Sequence, residues 1–559
     1  MTYTPARELA DRFHEEWLAA NPFEASYMGV LGWDDRVPDA SEEGEETRRG
    51  RLADLGVQAR GLLSRDPGDD DRLTLQCLDA LAASESAELA AQATEHLVTP
   101  STFHGPAQLM AVAARTIVTG PEAAGSYLER LRRSAIWLDQ VTERLRQGRA
   151  KGRLPVAPLV EKTIAWAGEV LAPPVPDALV AAAPPSGWDG AEAWGRERDR
   201  VARDVVRPAL VRWFDELNAL LPESRPGEQA GLVHLPGGEA DYRSAIKAHT
   251  TLDVTAEQLH QRGREELERL EERAVELGAK IGLTDLAAVR QALGNSAGKM
   301  PPDEAMARAR RAVSRGEAHV PQLFTAPLPP PCAVEAMPPV VASSGVAPHY
   351  TPPRLDGSRP GTYWFNTQVP TAGTGWDLEA VAYHEALPGH HVQFSRLQLL
   401  TELPAMQRQR YVTVFSEGWG LFAEQLAEEH GMYSNTESLL GAVATALMRA
   451  ARLVLDTGLH AFGWGRDEAV RFFEEHVPMP AEFLASEVDR YISWPGQALA
   501  YLTGKAEILH AREEVRRTLG ASFSPRDFHA ALLDHGSLPM PVMHEHLRRW
   551  ARDQEAKKA

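Results

Sequence analysis

The residues best equipped for chemistry stand in one segment, Tyr383-His384-Glu385-Ala386-Leu387-Pro388-Gly389-His390-His391-Val392-Gln393. Three imidazoles and a carboxylate so close together suit a divalent metal ion and a proton acceptor beside it. The segment starts as a His-Glu-x-x-His zinc helix does and then departs from it. Pro388 stands where the second histidine is due, and His390 comes two residues late. In a regular helix His391 returns to the face of His384, and His390 lies about a third of a turn away. The helix cannot stay regular, because Pro388 lacks a backbone donor and its ring collides with the carbonyl of residue 384. A local widening at Pro388-Gly389 would bring His390 to where residue 388 otherwise points. Spacing alone leaves both histidines open as the second ligand.

A second segment, Phe415-Ser416-Glu417-Gly418-Trp419-Gly420-Leu421-Phe422-Ala423-Glu424, places Glu417 and Glu424 on one helical face. Either carboxylate would complete a His, His, Glu ligand set with water in the fourth position. Zinc lowers the pKa of such a water to about 7, and Glu385 is placed to take its proton before attack on a polarised carbonyl. The plainer alternative is that these are satisfied polar groups at helix ends. Two near-misses show how cheaply fragments arise: His14-Glu15 is followed by Leu18, and His544-Glu545-His546 has the wrong spacing. The helix-breaking Pro-Gly among three histidines has no evident structural gain and so points to function.

The elements that must carry these segments are helices. Residues 1–225 have apolar residues at helical spacing and few β-branched runs. Loops rich in Pro, Gly and acidic residues interrupt them, and Pro222–Asp241 is the best boundary. The division expected is therefore an N-terminal helical region, 1–225, capping a catalytic region, 226–559. Thr255 and Gln258 fit a capping box at the start of a second helical block. One strand is convincing, Gly361–Val369, aromatic and β-branched between Pro and Gly. Its edge would align an extended peptide, with Asn366 reaching the substrate; otherwise it braces the site as a buried hairpin.

Composition limits the partners. The net charge of −19 over 559 residues opposes binding to a phosphate backbone or an anionic membrane surface. With 43% hydrophobic and 25% charged residues the profile is that of an ordinary soluble globular protein, long enough for several units or one large helical body. The most apolar stretch, Ala442–Met448, is followed by Arg449 and Arg452, so no membrane span is expected. The start of the chain reads as an amphipathic helix and not a leader, which predicts a cytoplasmic protein. Cys77 and Cys332 suggest neither a disulfide framework nor a thiolate metal site. There is no P-loop, dinucleotide fingerprint or nucleophile elbow.

Several motifs together resemble the bacterial DUF885 family: His384-Glu385-x-x-Pro388-Gly389-His390, Ser416-Glu417-Gly418-Trp419, and Pro495-Gly496-Gln497-Ala498 with Tyr501 and Gly504. Tyr350-x-Pro352-Pro353, Gly361-x-Tyr363 and Asp456-x-Gly458-x-His460 add to them. The resemblance runs from about Tyr242 to the C-terminus and more loosely before it. It implies kinship with gluzincin-type metallopeptidases, which resemble carboxypeptidase Taq and angiotensin-converting enzyme. The implied fold is mainly α, a large helical body split by a deep cleft, with a small β-hairpin or short sheet near the active site. The Pro-Gly-His element favours His390 as second ligand, with His384 and Glu417, and makes Glu385 the base and Zn2+ the cofactor. By the same likeness Tyr501 stabilises the oxyanion, with Tyr491 as second choice.

Further candidates surround that core. His460 follows Asp456 by one turn, so the carboxylate would orient the imidazole, either for catalysis or as a simple helix pair. Arg449, Arg452 and Arg490 would grip a substrate carboxylate or serve as structural ion-pair partners. Tyr363, Asn366, His391, Gln497 and Arg490 make up the expected substrate-binding set. The expected activity is zinc-dependent hydrolysis of amide bonds in short peptides. A non-peptide amide, or peptide binding without catalysis, are the competing readings. The expected partner is a short peptide or small amide, with no nucleic acid and no membrane; a homodimer is left open.

Overall fold

The computed structural model describes residues 4–557 except 186, 297–299, 338–341, 343–346, 356 and 368–374. It is mainly α-helical, as expected, with one small sheet. Six helices build the site and are labelled here in chain order: α1 Leu378–Glu385, α2 His390–Leu399, α3 Thr413–Glu429, α4 Thr436–His460, α5 Ala481–Ser493 and α6 Ala500–Leu519. The sheet consists of β1 Ala333–Ala336, β2 His349–Thr351 and β3 Thr362–Phe365, in the order β1-β3-β2. β3 pairs parallel with β1 (Val334 opposite Tyr363) and antiparallel with β2 (Tyr350 opposite Tyr363).

The predicted strand is thus real over Thr362–Phe365, and residues 368 and 369 of it lie outside the described residues. Its expected use is corrected. β3 is the middle strand with both edges paired, so it has no edge to offer a peptide. Asn366 instead sits 3% exposed and donates to the Ala342 carbonyl at 2.9 Å, turned inward and not towards a substrate.

The capping box forms as the sequence predicts. Thr255 accepts from the Gln258 backbone, and the Gln258 side chain accepts from the Thr255 backbone. The helix so started, Ala256–Ala279, packs along α4 closely enough that a Cβ on Gly263 would lie 2.8 Å from the Cβ of Leu453. α4, which contains the apolar stretch Ala442–Met448, is long and apolar enough to cross a membrane by composition, but 78% of its apolar window is buried inside the protein. It is a core helix.

The apolar clusters do not follow a division at 225. Residues between Ala6 and Ala82 share one cluster with residues from Ala305 to Ala551, among them Tyr383, Trp419 and Phe422. A second gathers Val156 and Leu159 with residues 230–502, including most of the apolar side of α4. A third joins Phe23 to residues 98–220. α3 belongs to the first cluster and α4 to the second, and Glu424 of α3 meets Thr445 and Arg449 of α4 between them.

Close helix contact joins α3 to α6. A Cβ on Gly504 of α6 would lie 1.9 Å from the Val414 carbonyl oxygen of α3, and one on Gly418 would lie 2.5 Å from the Gly504 backbone. Only glycines allow this approach. Gly504→Ala is therefore expected to destabilise the fold by about 1–3 kcal/mol through overpacking. Thermal unfolding checks it, and an unchanged midpoint would show that α3 and α6 do not touch here.

Candidate metal centre

α1 stops at Glu385 and α2 starts at His390, so the Pro-Gly pair makes a corner and not a widened helix. The Leu387–Pro388 bond is cis. Gly389 is required at the corner because a Cβ there would lie 1.9 Å from the His384 carbonyl oxygen. Trp419 of α3 clamps the corner by donating its indole N–H to the Gly389 carbonyl at 3.0 Å. The bend brings His390 against His384, their rings edge to face with centroids 4.8 Å apart.

The corner sets the two histidines apart. His384, His390 and Glu417 each offer one ligand atom, and these atoms lie within 4.8 Å of one another. Glu417 Oε2 is 3.4 Å from His384 Nε2 and 3.8 Å from His390 Nε2. His391 faces the opposite way: its Nε2 meets the Pro330 carbonyl at 2.7 Å, and its Nδ1 meets the Tyr350 hydroxyl at 3.1 Å. It is fully buried with both ring nitrogens engaged, so it belongs to the core and its expected substrate-binding role is corrected.

The surroundings orient the three side chains. His384 Nδ1 is 2.8 Å from Glu424 Oε1, the geometry of an imidazole donating to a carboxylate, which turns Nε2 towards Glu417. Thr445 donates to Glu424 at 3.5 Å and Arg449 lies 3.7 Å from it. His390 Nδ1 is 3.4 Å from Gln393 Oε1, and the Gln393 amide donates to Ser416 and Ser537 at 3.1 and 3.3 Å. A Cβ on Gly420 would lie 2.5 Å from the His384 ring, so α3 is hollowed to seat the imidazole. Burial alone would lower the His384 pKa, but the carboxylates of Glu417 and Glu424 outweigh it and raise it to about 9. Glu417 is held well below the usual carboxylate range, since its hydrogen bonds to both imidazoles overcome burial. Two buried imidazoles with engaged Nδ1 atoms and a carboxylate form a donor set that fits a zinc-like divalent ion.

Tyr411 escaped the sequence reading. It lies just ahead of α3 and donates its hydroxyl to Glu417 Oε1, so one carboxylate oxygen is tied back while the other faces the histidines. Its ring stacks on Phe394, which in turn lies against His390. No periodic signal marks a loop tyrosine; only its short separation from Glu417 hints at the contact. Tyr411→Phe is expected to weaken metal affinity about 10- to 100-fold with the fold intact, and metal titration checks it.

Glu385 is half-buried, and its Oε2 accepts the Tyr350 backbone N–H of β2 at 2.8 Å. Tyr363, expected to bind substrate, is instead a fully buried core side chain of the middle strand. Its hydroxyl pKa is raised by burial first and by the Glu385 carboxylate next. Tyr501 is half-buried in the first turn of α6. Burial raises its hydroxyl pKa, and the charge of the Glu417 carboxylate adds to the rise.

His460 is not part of this group. Its Nδ1 accepts from the Leu232 backbone at 3.2 Å, and its Nε2 faces the Tyr491 carbonyl at 3.1 Å. The predicted Asp456–His460 pair is corrected too: Asp456 accepts the Tyr242 hydroxyl at 2.7 Å and the Gly496 N–H at 3.1 Å. Burial lowers the His460 pKa to about 4, and does the same to His529. Both are neutral in the fold but protonate near 6.5 once unfolded. Their stabilising effect is complete above pH 6.5 and is lost as pH falls towards 4. The thermal midpoint should therefore drop by several degrees across that window, and a flat profile would contradict these burials.

Gln497 and Arg490 are joined to each other, Arg490 Nη1 donating to Gln497 Oε1 at 2.6 Å. The neighbouring loop also borders a cavity of about 680 Å3, lined by Phe103, His104, His249, Trp494 and Pro495 among others; His384, His390 and Glu417 do not line it.

The comparisons agree with this architecture. A solved structure described as "the putative lipoprotein from Colwellia psychrerythraea" is 24% identical, with a TM-score of 0.87 over 98% of this chain and 99% of that one. A second, described as a "putative lipoprotein of unknown function from Shewanella oneidensis", is 17% identical with a TM-score of 0.73, over 97% and 99%. Both are likenesses of fold. No curated protein matches the chain. The family model described as "Bacterial protein of unknown function (DUF885)" matches residues 22–547. Matched over nearly its full length, the chain belongs to the DUF885 family.

Proposed function

We propose that the protein is a metal-dependent hydrolase of amide bonds in short peptides. The observation that carries this reading is the convergence of His384, His390 and Glu417 within 4.8 Å, one residue from a half-buried glutamate. His384 and His390 would hold the ion through Nε2 and Glu417 through a carboxylate oxygen. A zinc ion bound there would polarise the substrate carbonyl and acidify a water.

The chain's own groups do the rest. Tyr350 ties down one oxygen of Glu385, so the other is free to accept a proton from the attacking water and pass it to the leaving amine. Tyr501 donates its hydroxyl to the developing oxyanion; its raised pKa keeps the proton available. Glu424 and Gln393 keep the imidazoles oriented, and Tyr411 holds Glu417. The kinship with gluzincin-type peptidases belongs to this proposal, and so does a cytoplasmic location. The two similar solved structures, each described as a "putative lipoprotein", make the cell envelope the competing site, and fractionation of native cells decides between them.

The test is hydrolysis of a library of di- and tripeptides and acylated amino acids by protein reconstituted with zinc. Turnover lost on chelation and restored by zinc supports the reading. Zinc uptake without cleavage of any amide overturns it.

A further inference from the structure

The seam beyond Tyr501 holds more positive charge than the fold balances. Thr445, Arg449, Arg452 and Asp456 follow one another at helical spacing along α4, and all four are buried. The first two serve Glu424, and Asp456 serves Tyr242 and Gly496. Arg452 remains, 6% exposed, with its guanidinium 4.3 Å from the centre of the Tyr501 ring. It shares one acid with Arg490. Arg452 Nη2 donates to Glu487 Oε2 at 2.8 Å, and Arg490 donates to both Glu487 oxygens at 3.0 Å. The Tyr491 hydroxyl adds a further bond to Glu487 at 2.7 Å. Glu487 is thus saturated, and two guanidiniums have one carboxylate between them.

Arg452 Nη1 is buried with no hydrogen-bond partner among the described residues. A buried cation without a full set of partners is costly unless something else supplies the anion. Guanidinium forks match carboxylates through paired hydrogen bonds. Resting on the amide-hydrolase reading, we infer that Arg452 and Arg490 receive the free C-terminal carboxylate of the peptide, so that the enzyme removes residues from that end. The Tyr501 ring packs against the Arg452 guanidinium, so a carboxylate held there would lie beside the hydroxyl proposed to stabilise the oxyanion. Arg490, the more exposed of the two, would make the first contact.

The experiment compares trialanine with its C-terminal amide on zinc-loaded protein, and binding of both by calorimetry to metal-free protein. Wild type is expected to prefer the free acid by 100-fold or more in kcat/KM and to bind it measurably tighter. Arg490→Gln should erase that preference, chiefly through KM. Arg490→Lys keeps the charge and the Glu487 pair, so it guards against misfolding; it should retain only part of the preference. Equal handling of acid and amide by wild type in both assays overturns this inference and leaves amide hydrolysis standing. If neither compound is cleaved, the calorimetric preference still decides whether the arginines receive a carboxylate.

Discussion

Glu385→Gln is expected to lower turnover of a peptide substrate by about a hundred- to ten-thousand-fold, the range general base catalysis supplies, while metal content stays at the wild-type level. The amide has the shape of the carboxylate and can still accept the Tyr350 N–H that Glu385 accepts at 2.8 Å, so the corner between α1 and α2 is preserved. What it loses is the ability to take a proton. Because Glu385 is not among the three converging ligand groups, binding and catalysis separate in this variant. Turnover near wild type would remove Glu385 from the mechanism. Loss of both metal and turnover would mean that it is a ligand.

The second large effect is the contrast between adjacent histidines. His390→Ala and Glu417→Ala should each abolish stoichiometric zinc uptake, since a three-residue site loses a third of its donors. His391→Asn should keep the metal. Its cost falls on stability, because it breaks the contacts of a fully buried ring with Pro330 and Tyr350. Metal analysis and thermal unfolding on all three proteins separate the outcomes. Zinc retained by His390→Ala and lost by His391→Asn would reverse the assignment.

These contrasts mark how far the sequence carries. The helical class and the capping box at Thr255 follow from local signals, and the local signals win there. His384, Glu385 and Glu417 stand out by type and spacing. His390 and His391 could not be separated by periodicity, because Pro388 and Gly389 end one helix and begin another, and no period crosses that corner. Asp456 and His460 are neighbours on α4, yet their partners come from distant segments, Tyr242 and Gly496 for one, Leu232 and Tyr491 for the other. Helical spacing reports which residues are near each other, not which tertiary partner competes better. β3 reads correctly as a strand but not as a middle one, since its neighbours are set by topology. Tyr411 lies in an irregular segment where no pattern operates.

The central claim is that His384, His390 and Glu417 hold one divalent ion, and anomalous diffraction at the zinc edge tests it most directly. Crystals grown with equimolar zinc should give a single strong peak about 2.0–2.2 Å from the Nε2 atoms of both histidines and from a carboxylate oxygen of Glu417. A peak beside His391, or none between α1, α2 and α3, would contradict the account.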